Sequence, residues 1–600
     1  SRNTFAGLLN AAYKIYKNYF RYSTGRGKSL QYNEWKACNS RSKILFFELE
    51  KSGKVTFCSK FSKKQIINNP EFLKLCKRLN SQARGLSINE TIDALKIVTY
   101  IGIPAQSTIV QILLQLIRKE VNDLSLHEII FVDFLLKNLD KNPLVDALKI
   151  ALPLVFEAQL SLKMNRYDAI HLADLLHYAT EKKMSDTSLN LIINSLDKVI
   201  DDIDVKTART IVRSLYGNKT SLSSYNMLLT NCWNVLAQNI DQYSYNGMEE
   251  LLHWMEKKYC KKQTEFYHED FVDNCASYIV SKDCGFENGN WILRKLTRMC
   301  HVNLPLIDYL TDKIINDPKI GETCTPSLLL AYTTGVANAD YKPAGWDRIQ
   351  HILSNNLRMS EKELIEFPWL RLALNFAALD IYSPELLQHV FQEEFLNKFL
   401  SRDYNFLDNL QLLLLYQAVL TLYPSYSGPL PPKSMIEKVI AINGENINHF
   451  PLQAALEQGM GGSSYVWTKL LTKKRTFHRV AIADKDHLVV LRKGGYPVAL
   501  NKITKTNATR TFVDDVTVPA DAQLILVLCL PETFFNQNCK RLRAIPSLTL
   551  KTLESMGYIV VPVSLQLWTL LPEYEKIPYL MQNIKIRCES MEDDQARFVH

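Results

Sequence analysis

The sequence predicts a mainly α-helical protein, in which a body of helical-hairpin repeats forms an α-solenoid and a small α/β module follows it. Two observations lead to this fold class. From Pro70 onward, apolar residues recur at i, i+3, i+4 and i+7, as on one face of an amphipathic helix. The alternation of apolar and polar residues that marks a half-buried strand is nearly absent before residue 480. We therefore expect the strands to lie near the C-terminus.

The chain is long enough for several structural units. Its 600 residues correspond to three to five domains of roughly 100–200 residues each, or to one long repeat array. The 12 cysteines form no C-x-x-C pair, which argues against a zinc ribbon and predicts free thiols in a reducing compartment. Two uncharged stretches, 97–117 and 409–432, are interrupted by Gln, Gly or Pro. Both are better explained as buried helices than as membrane spans.

The first 33 residues have the composition of a mitochondrial transit peptide. They contain no acidic residue and six Lys or Arg, and their apolar residues between Phe5 and Tyr16 recur at helical spacing. A basic amphipathic helix of this kind is typical of matrix targeting, and Arg21 suggests cleavage after Tyr22. The alternative is a basic disordered or cytosolic arm. Residues 34–69 are interpreted as a linker or an N-terminal extension.

Residues 70–364 are predicted to form helical-hairpin repeats. S-x-x-E patterns at Ser87 and Ser125 predict capping boxes, in which the serine and glutamate side chains bind the first backbone amides of a helix. Comparable helix starts follow near Asn165, Asp204, Ser244, Asn288, Thr325 and Glu366. The spacings of 37 to 44 residues indicate an α-solenoid, which binds extended peptides or single-stranded nucleic acid. An irregular all-α domain is the alternative.

The positive charge is concentrated in two places. The net charge is +9, yet residues 461–551 alone hold 15 Lys and Arg against 6 Asp and Glu, and the first 33 residues contribute six more positive charges. Cations that neutralise phosphates give RNA affinity, whereas the alternative is a solvated protein surface. The candidate RNA-binding cations are Lys469, Lys473, Lys474, Arg475, Arg479, Arg492, Lys493, Lys540, Arg541 and Arg543.

Two aromatic residues lie among these cations. Phe534 and Phe535 precede Lys540 and Arg541 in the sequence. Exposed aromatic rings stack on unpaired bases, so both residues are further RNA-binding candidates. The alternative for both rings is a place in the core of the α/β module.

From about residue 365 the sequence resembles the FAST kinase (Fas-activated serine/threonine kinase) domain family. The motifs that carry the resemblance are W-L-R-L-A-L-N-F-A-A-L at 369–379, P-S-Y-S-G-P-L-P at 424–431, M-G-G-S-S-Y at 460–465, L-I-L-V-L at 524–528 and L-E-S-M-G-Y at 553–558. The resemblance divides the region into FAST kinase-like domain 1 at 365–435, domain 2 at 440–500, a RAP domain at 522–585 and a tail at 586–600. Gly557 is expected to end the RAP helix in a left-handed conformation.

The resemblance implies a function in mitochondria. Members of the family act on organellar RNA, in its processing, its stability or the maturation of ribosomal RNA. The expected location is the mitochondrial matrix, including its RNA granules. The expected partners are mitochondrial RNA, RNA-processing enzymes or assembly factors of the mitochondrial ribosome. The RAP domain implies a fold similar to the restriction endonucleases.

No catalytic residue, metal or cofactor is predicted. A glycine-rich stretch at 459–462 precedes V-A-I at 480–482, but Ala483 stands where a kinase has its lysine, and no H-R-D or D-F-G motif follows. The predicted strand at 524–530 carries no acidic residue for a nuclease metal, which only Asp514 or Asp515 nearby could supply. The prediction is a non-catalytic RNA-binding protein. A metal-dependent endoribonuclease and a protein-binding scaffold are the alternatives.

Overall fold

The computed structural model describes residues 85–217, 225–355, 367–402, 406–442, 451–468, 487–492, 494–500 and 518–597, together with residues 77 and 81. The chain divides into two compact units, Ser1–Leu236 and Ala237–His600. The protein is mainly helical, with a small mixed sheet near the C-terminus, which confirms the broad fold class. The predicted transit peptide and the extension at 34–69 lie outside the described residues.

The first unit is built from consecutive pairs of helices. Within it, α1 contacts α2, α3 contacts α4, and α5 contacts α6, while α1, α3, α5 and α7 also contact one another in succession. The unit is therefore two layers of helices. Its helices are α1 Ile88–Ile101, α2 Thr108–Lys119, α3 Leu126–Lys137, α4 Pro143–Lys163, α5 Ala169–Glu181, α6 Asp186–Leu196, α7 Val205–Gly217 and α8 Asn226–Gln238, within which the division falls.

The helices of the second unit show the same pairing. The helices α9, α11, α14, α16 and α19 contact one another in succession, and α10, α12 and α15 form a second row. The bounds are α9 Tyr245–Cys260, α10 Glu269–Ser281, α11 Gly285–Arg298, α12 Leu304–Asn316, α13 Pro318–Thr323, α14 Pro326–Ala339, α15 Trp346–Ser354, α16 Trp369–Ala378, α17 Pro384–Phe391, α18 Glu393–Leu400, α19 Phe406–Leu422, α20 Lys433–Ile442 and α21 Gln453–Met460.

The two predicted capping boxes are present. The Glu90 amide donates to the Ser87 hydroxyl at 3.4 Å, and the Ser87 amide donates to the Glu90 carboxylate at 2.9 Å. Ser125 and Glu128 form the same pair of bonds at 3.3 and 2.7 Å. Each box satisfies amides at the start of a helix that have no partner within the helix.

Three of the six later helix starts are where the sequence placed them. Ser244 and Thr325 are N-caps, and the Asp204 carboxylate accepts from the Thr207 amide at 2.8 Å. The start near Asn165 is three residues early, since Asp168 caps α5. The start near Asn288 is three residues late, because α11 begins at Gly285, whose amide donates to the Tyr309 hydroxyl of α12 at 2.8 Å. Because this cap comes from another helix, the sequence around Gly285 does not reveal it. Glu366 lies outside the described residues.

The uncharged stretch around α19 is a buried helix, as predicted. Its Leu412 and Leu415 are fully buried, and α19 packs against α16. The other stretch is split between α1 and α2, where Gly102 caps α1 in a left-handed conformation with φ of 82°. No helix in the described parts of the chain combines the length and the apolar character that a membrane span requires.

The C-terminal sheet has the order β1-β2-β3-β4, with β2 antiparallel to β3 and β3 parallel to β4. The register places Leu526 of β3 beside Val560 of β4, and the following residue Val527 beside Val561. Successive side chains point to opposite faces, so the sheet has two apolar faces. The strands are β1 Trp467–Thr468, β2 His487–Arg492, β3 Ala522–Leu530 and β4 Ile559–Ser564, and the helices after β3 are α22 Ala544–Ser555, α23 Leu565–Leu570 and α24 Glu573–Arg597.

Helices cover both faces of this sheet. Leu456 of α21 and Leu580 of α24 join the core of one face, and Leu550 and Leu553 of α22 join the core of the other. The opposite side of α22 packs against α14, α16 and α19. Burial on both faces explains why β3 is continuously apolar instead of alternating. Gly557 follows α22 with φ of 89°, which confirms the expected left-handed turn.

Candidate nucleic-acid interface

The structure describes part of the predicted RNA-binding set. Six of the twelve candidate residues lie outside the described residues, and their positions stay predictions. They are Lys469, Lys473, Lys474, Arg475, Arg479 and Lys493. The candidates that the structure places are Arg492, Phe534, Phe535, Lys540, Arg541 and Arg543.

Arg492 is separated from the other described candidates. It pairs with Ala522 at the start of β3, and its Nε lies 3.5 Å from the Asp521 carboxylate. The remaining candidates follow Leu530, at the other end of this nine-residue strand, and at about 3.3 Å per residue the two ends are roughly 30 Å apart. Arg492 and these residues therefore do not form one compact site.

Residues 534–543 form a turn that we call the basic hairpin. Phe535 and Leu542 form an isolated antiparallel bridge, and the Asn536 amide donates to the Arg541 carbonyl at 2.8 Å. Lys540 adopts a left-handed conformation with φ of 52°, which turns the chain back. Lys540 and Arg541 are both exposed at the tip. Within the described parts of the chain, neither side chain has an acidic partner.

The two aromatic candidates lie at the base of the basic hairpin. Phe534 and Phe535 are partly buried and pack against the apolar core on the α22 side of the sheet. Their packing fixes where the hairpin leaves β3. The rings therefore support the hairpin, whereas its tip carries the exposed charge.

Three hydrogen bonds attach the tip of the basic hairpin to the turn between α11 and α12. The Gln537 amide donates to the Cys300 carbonyl at 2.6 Å. The Asn538 side chain accepts from the Val302 amide at 3.0 Å and donates to the Val302 carbonyl at 2.7 Å. Asn538 thus binds both backbone groups of one residue, which restrains the hairpin in two directions.

A second attachment joins the hairpin to the end of α14. Asn536, which is buried, donates through Nδ2 to the Asn338 carbonyl at 2.7 Å. The Asn338 side chain in turn accepts from the amide of Ala544, the first residue of α22, at 3.1 Å. The exposed cations are therefore held at a fixed place relative to α11, α12 and α14.

A cleft of about 220 Å³ lies where α14, α16 and α22 meet. Asp380, at its rim, accepts a hydrogen bond from Lys342 at 3.4 Å and another from Lys551. The lysines of this cleft are therefore already paired with a carboxylate. We do not assign an anion site to it.

The structure offers a packing role for the glycine-rich stretch at 459–462. A Cβ on Gly459 would lie 2.8 Å from Cε of Met581 on α24, so the glycine allows α21 and α24 to approach closely. Gly461 caps α21 with φ of 94°. Packing and helix capping therefore explain why glycine stands at both positions, without a bound phosphate. The described residues also contain no group of three His, Cys, Asp or Glu side chains arranged for a metal.

No protein-family model and no curated protein matches this chain. The resemblance to the FAST kinase domain family therefore rests on the sequence motifs at 369–379, 424–431, 460–465 and 524–558. The geometry of the basic hairpin does not depend on that resemblance.

The sequence did not reveal the residues that position the charges. Asn536, Asn538 and Asn338 carry no charge and follow no spacing rule. The nearest sequence signal is the N-Q-N run at 536–538, because asparagine side chains often bind backbone groups in turns. The partners on α14 and before α12 lie about 200 residues away in the sequence, where no local pattern could identify them.

Proposed function

We propose that this protein is a non-catalytic RNA-binding protein of the mitochondrial matrix that acts in post-transcriptional control of organellar RNA. The two-row packing of helices in each unit supports an α-solenoid body. The sheet with helices on both faces is consistent with a RAP domain, a restriction-endonuclease-like fold serving as a binding platform.

The observation that carries the proposal is the basic hairpin. Lys540 and Arg541 are adjacent and exposed, and two sets of hydrogen bonds hold the segment that presents them. Because the backbone that carries these cations is already held in place, less backbone entropy is lost on binding, and more of the attraction to phosphate is retained. Contacts of this type bind the RNA backbone and orient it, but they do not read bases.

The α/β module would bind RNA, and its attachment to the helices would set the direction in which the strand leaves. A strand held in this way is shielded from nucleases, or is presented to a processing enzyme. The proposal does not require chemistry by this chain, which agrees with the absence of acidic residues from β3 and β4.

The test is a salt series of RNA binding for the wild-type protein and for the double variant Lys540→Ala with Arg541→Ala. For single strands, a plot of the logarithm of the binding constant against the logarithm of the salt concentration changes in slope by about 0.7 per phosphate contact. We therefore expect the double variant to flatten this slope by about 1.4. The matched control is Lys433→Ala with Lys438→Ala, which removes two exposed cations from α20 in the same unit. The control should keep the wild-type slope.

An unchanged slope in a folded double variant would remove the basic hairpin from the RNA site. Absence of RNA binding by the wild-type protein would favour the protein-binding scaffold. Mg²⁺-dependent RNA cleavage by the purified protein would favour the endoribonuclease. The matrix location is tested separately, by deleting residues 1–30, which should leave the protein in the cytosol.

A further inference from the structure

The solvent-facing side of α11 adjoins the basic hairpin. The tip of the hairpin is bonded to the turn that directly follows α11, through the Gln537 amide and the Cys300 carbonyl at 2.6 Å. Arg298, Arg294 and Trp291 precede this turn at spacings of four and three residues, which place them on one face of the helix. At 1.5 Å per residue, Trp291 lies about 13 Å along the helix axis from Cys300.

Packing fixes which face of α11 is turned to solvent. A Cβ on Gly289 would lie 2.9 Å from Cδ2 of Leu310 on α12, so the two helices approach closely at this glycine. Such close contact sets the rotation of α11 about its axis. Arg294 and Arg298 are thereby left exposed, and Trp291 is half-buried.

Arg294 lies over the indole ring of Trp291. Its guanidinium carbon is 5.2 Å from the ring centroid, which is within the range of a cation–π contact. In the part of the chain that the structure describes, Arg294 has no acidic partner. Unpaired bases stack both on aromatic rings and on guanidinium planes. The pair therefore offers a stacking surface and a positive charge at one place.

The neighbouring cations of α11 are held in ion pairs with α9. The buried Glu256 carboxylate lies 2.8 Å from Nη1 of Arg298 and 3.5 Å from Nζ of Lys295. Lys295 is also 2.9 Å from the Glu249 carboxylate. These pairs join α9 to α11, whereas Arg294 binds a phosphate without first breaking an ion pair.

An acidic residue bounds this surface at the N-terminal end of α11. Glu287 is exposed and precedes Trp291 by one turn on the same face. Its carboxylate repels phosphate. Along α11 the surface therefore becomes more positive toward the basic hairpin, where Lys540 and Arg541 are exposed.

We propose that Trp291 and Arg294 form a base-stacking site for a single-stranded RNA whose phosphates are bound at the basic hairpin. This inference rests on the proposed function and adds to it, because the cations of the hairpin orient the RNA backbone, whereas stacking requires an unpaired base. The bases of double-stranded RNA are stacked on one another within the duplex. The site thus selects single strands, and it tolerates any sequence because every base has a π-face.

The experiment compares a short single-stranded RNA with a strand of the same length that carries abasic ribose at its internal positions. The abasic strand keeps the phosphates and loses the stacking surface. We expect the full-length wild-type protein to bind the intact strand about tenfold more tightly. The salt dependence of binding should be the same for both strands, because no phosphate contact is lost.

Three variants assign this preference to α11. Trp291→Ala should lose most of the preference for the intact strand and keep the salt slope, because it removes a ring and no charge. Arg294→Gln should weaken the preference and flatten the slope by about 0.7, the value for one phosphate contact. The control is Tyr574→Ala on α24, which removes a 78% exposed aromatic ring between Glu573 and Glu575. The control should keep both the preference and the slope.

The outcomes separate this inference from the proposed function. If the wild-type protein binds both strands equally, or if folded Trp291→Ala keeps the full preference, the stacking site is refuted while RNA binding through the basic hairpin survives. If the wild-type protein binds neither strand, the proposed function fails and the stacking site fails with it. Should Trp291→Ala not fold, the exposed Arg294 carries the test, and an unchanged slope and preference in Arg294→Gln would refute the site.

Discussion

The attachment of the basic hairpin predicts that Asn538→Ala weakens the second unit. The asparagine side chain binds both the amide and the carbonyl of Val302, at 3.0 and 2.7 Å. Alanine cannot replace either bond, so two partly buried backbone groups lose their partners. An intramolecular hydrogen bond contributes about 0.5–1.5 kcal/mol, and more if the group left behind cannot reach water. We expect a loss of about 2 kcal/mol in the free energy of unfolding.

Hydrogen exchange gives the most direct readout, because the Val302 amide is itself the donor. Peptides that include Val302 should exchange roughly 10- to 30-fold faster in Asn538→Ala, as about 1.4 kcal/mol corresponds to a factor of ten. The control is Gln537→Ala, since Gln537 uses only its backbone amide to reach Cys300 at 2.6 Å. It should change neither exchange nor stability by a measurable amount.

The result that would contradict this reasoning is specific. If Asn538→Ala alters the free energy of unfolding by less than about 0.5 kcal/mol, a typical surface effect, and leaves exchange at Val302 unchanged, then Asn538 does not hold the hairpin. The fixed position of Lys540 and Arg541 would then lose its main support.

Three further predictions concern other parts of the chain. Burial raises the pKa of Asp174 to about 6, against a smaller opposing effect of His127. Because this pKa lies above the unfolded value, the contribution of Asp174 to stability is greatest at low pH and falls as the pH rises toward 6. In urea titrations, Asp174→Asn should therefore be more stable than the wild type by about 1–3 kcal/mol near pH 7.5 and should lose that advantage near pH 4. Gly335→Ala should destabilise the protein by about 1–3 kcal/mol in thermal melts, because the new Cβ on α14 would lie 2.5 Å from Cδ2 of Leu293 on α11. An unchanged melting temperature would mean that α11 and α14 can move apart. Changing the three basic residues 473–475 together to Ala should flatten the salt dependence of RNA binding by about two units and leave melting unchanged; an unchanged slope would exclude them from the RNA site.

The helical part of the fold could be predicted because its signals are local. Ser87, Ser125, Ser244 and Thr325 mark helix starts through bonds to the residue three positions ahead. Apolar residues at helical spacing then identify the buried face. Gly285 shows the limit of this reasoning, since its amide is satisfied by a tyrosine 24 residues later.

The candidate site was predictable only in part, for a related reason. A run of cations such as Lys540 and Arg541 is visible in the sequence, because charge requires no tertiary context to be noticed. Whether a cation is paired, buried or presented depends on residues that are distant in the sequence. Arg492 and Arg543 looked alike in the sequence, yet Arg492 lies beside the Asp521 carboxylate, whereas Arg543 donates through Nη1 to the Thr533 carbonyl at 3.2 Å.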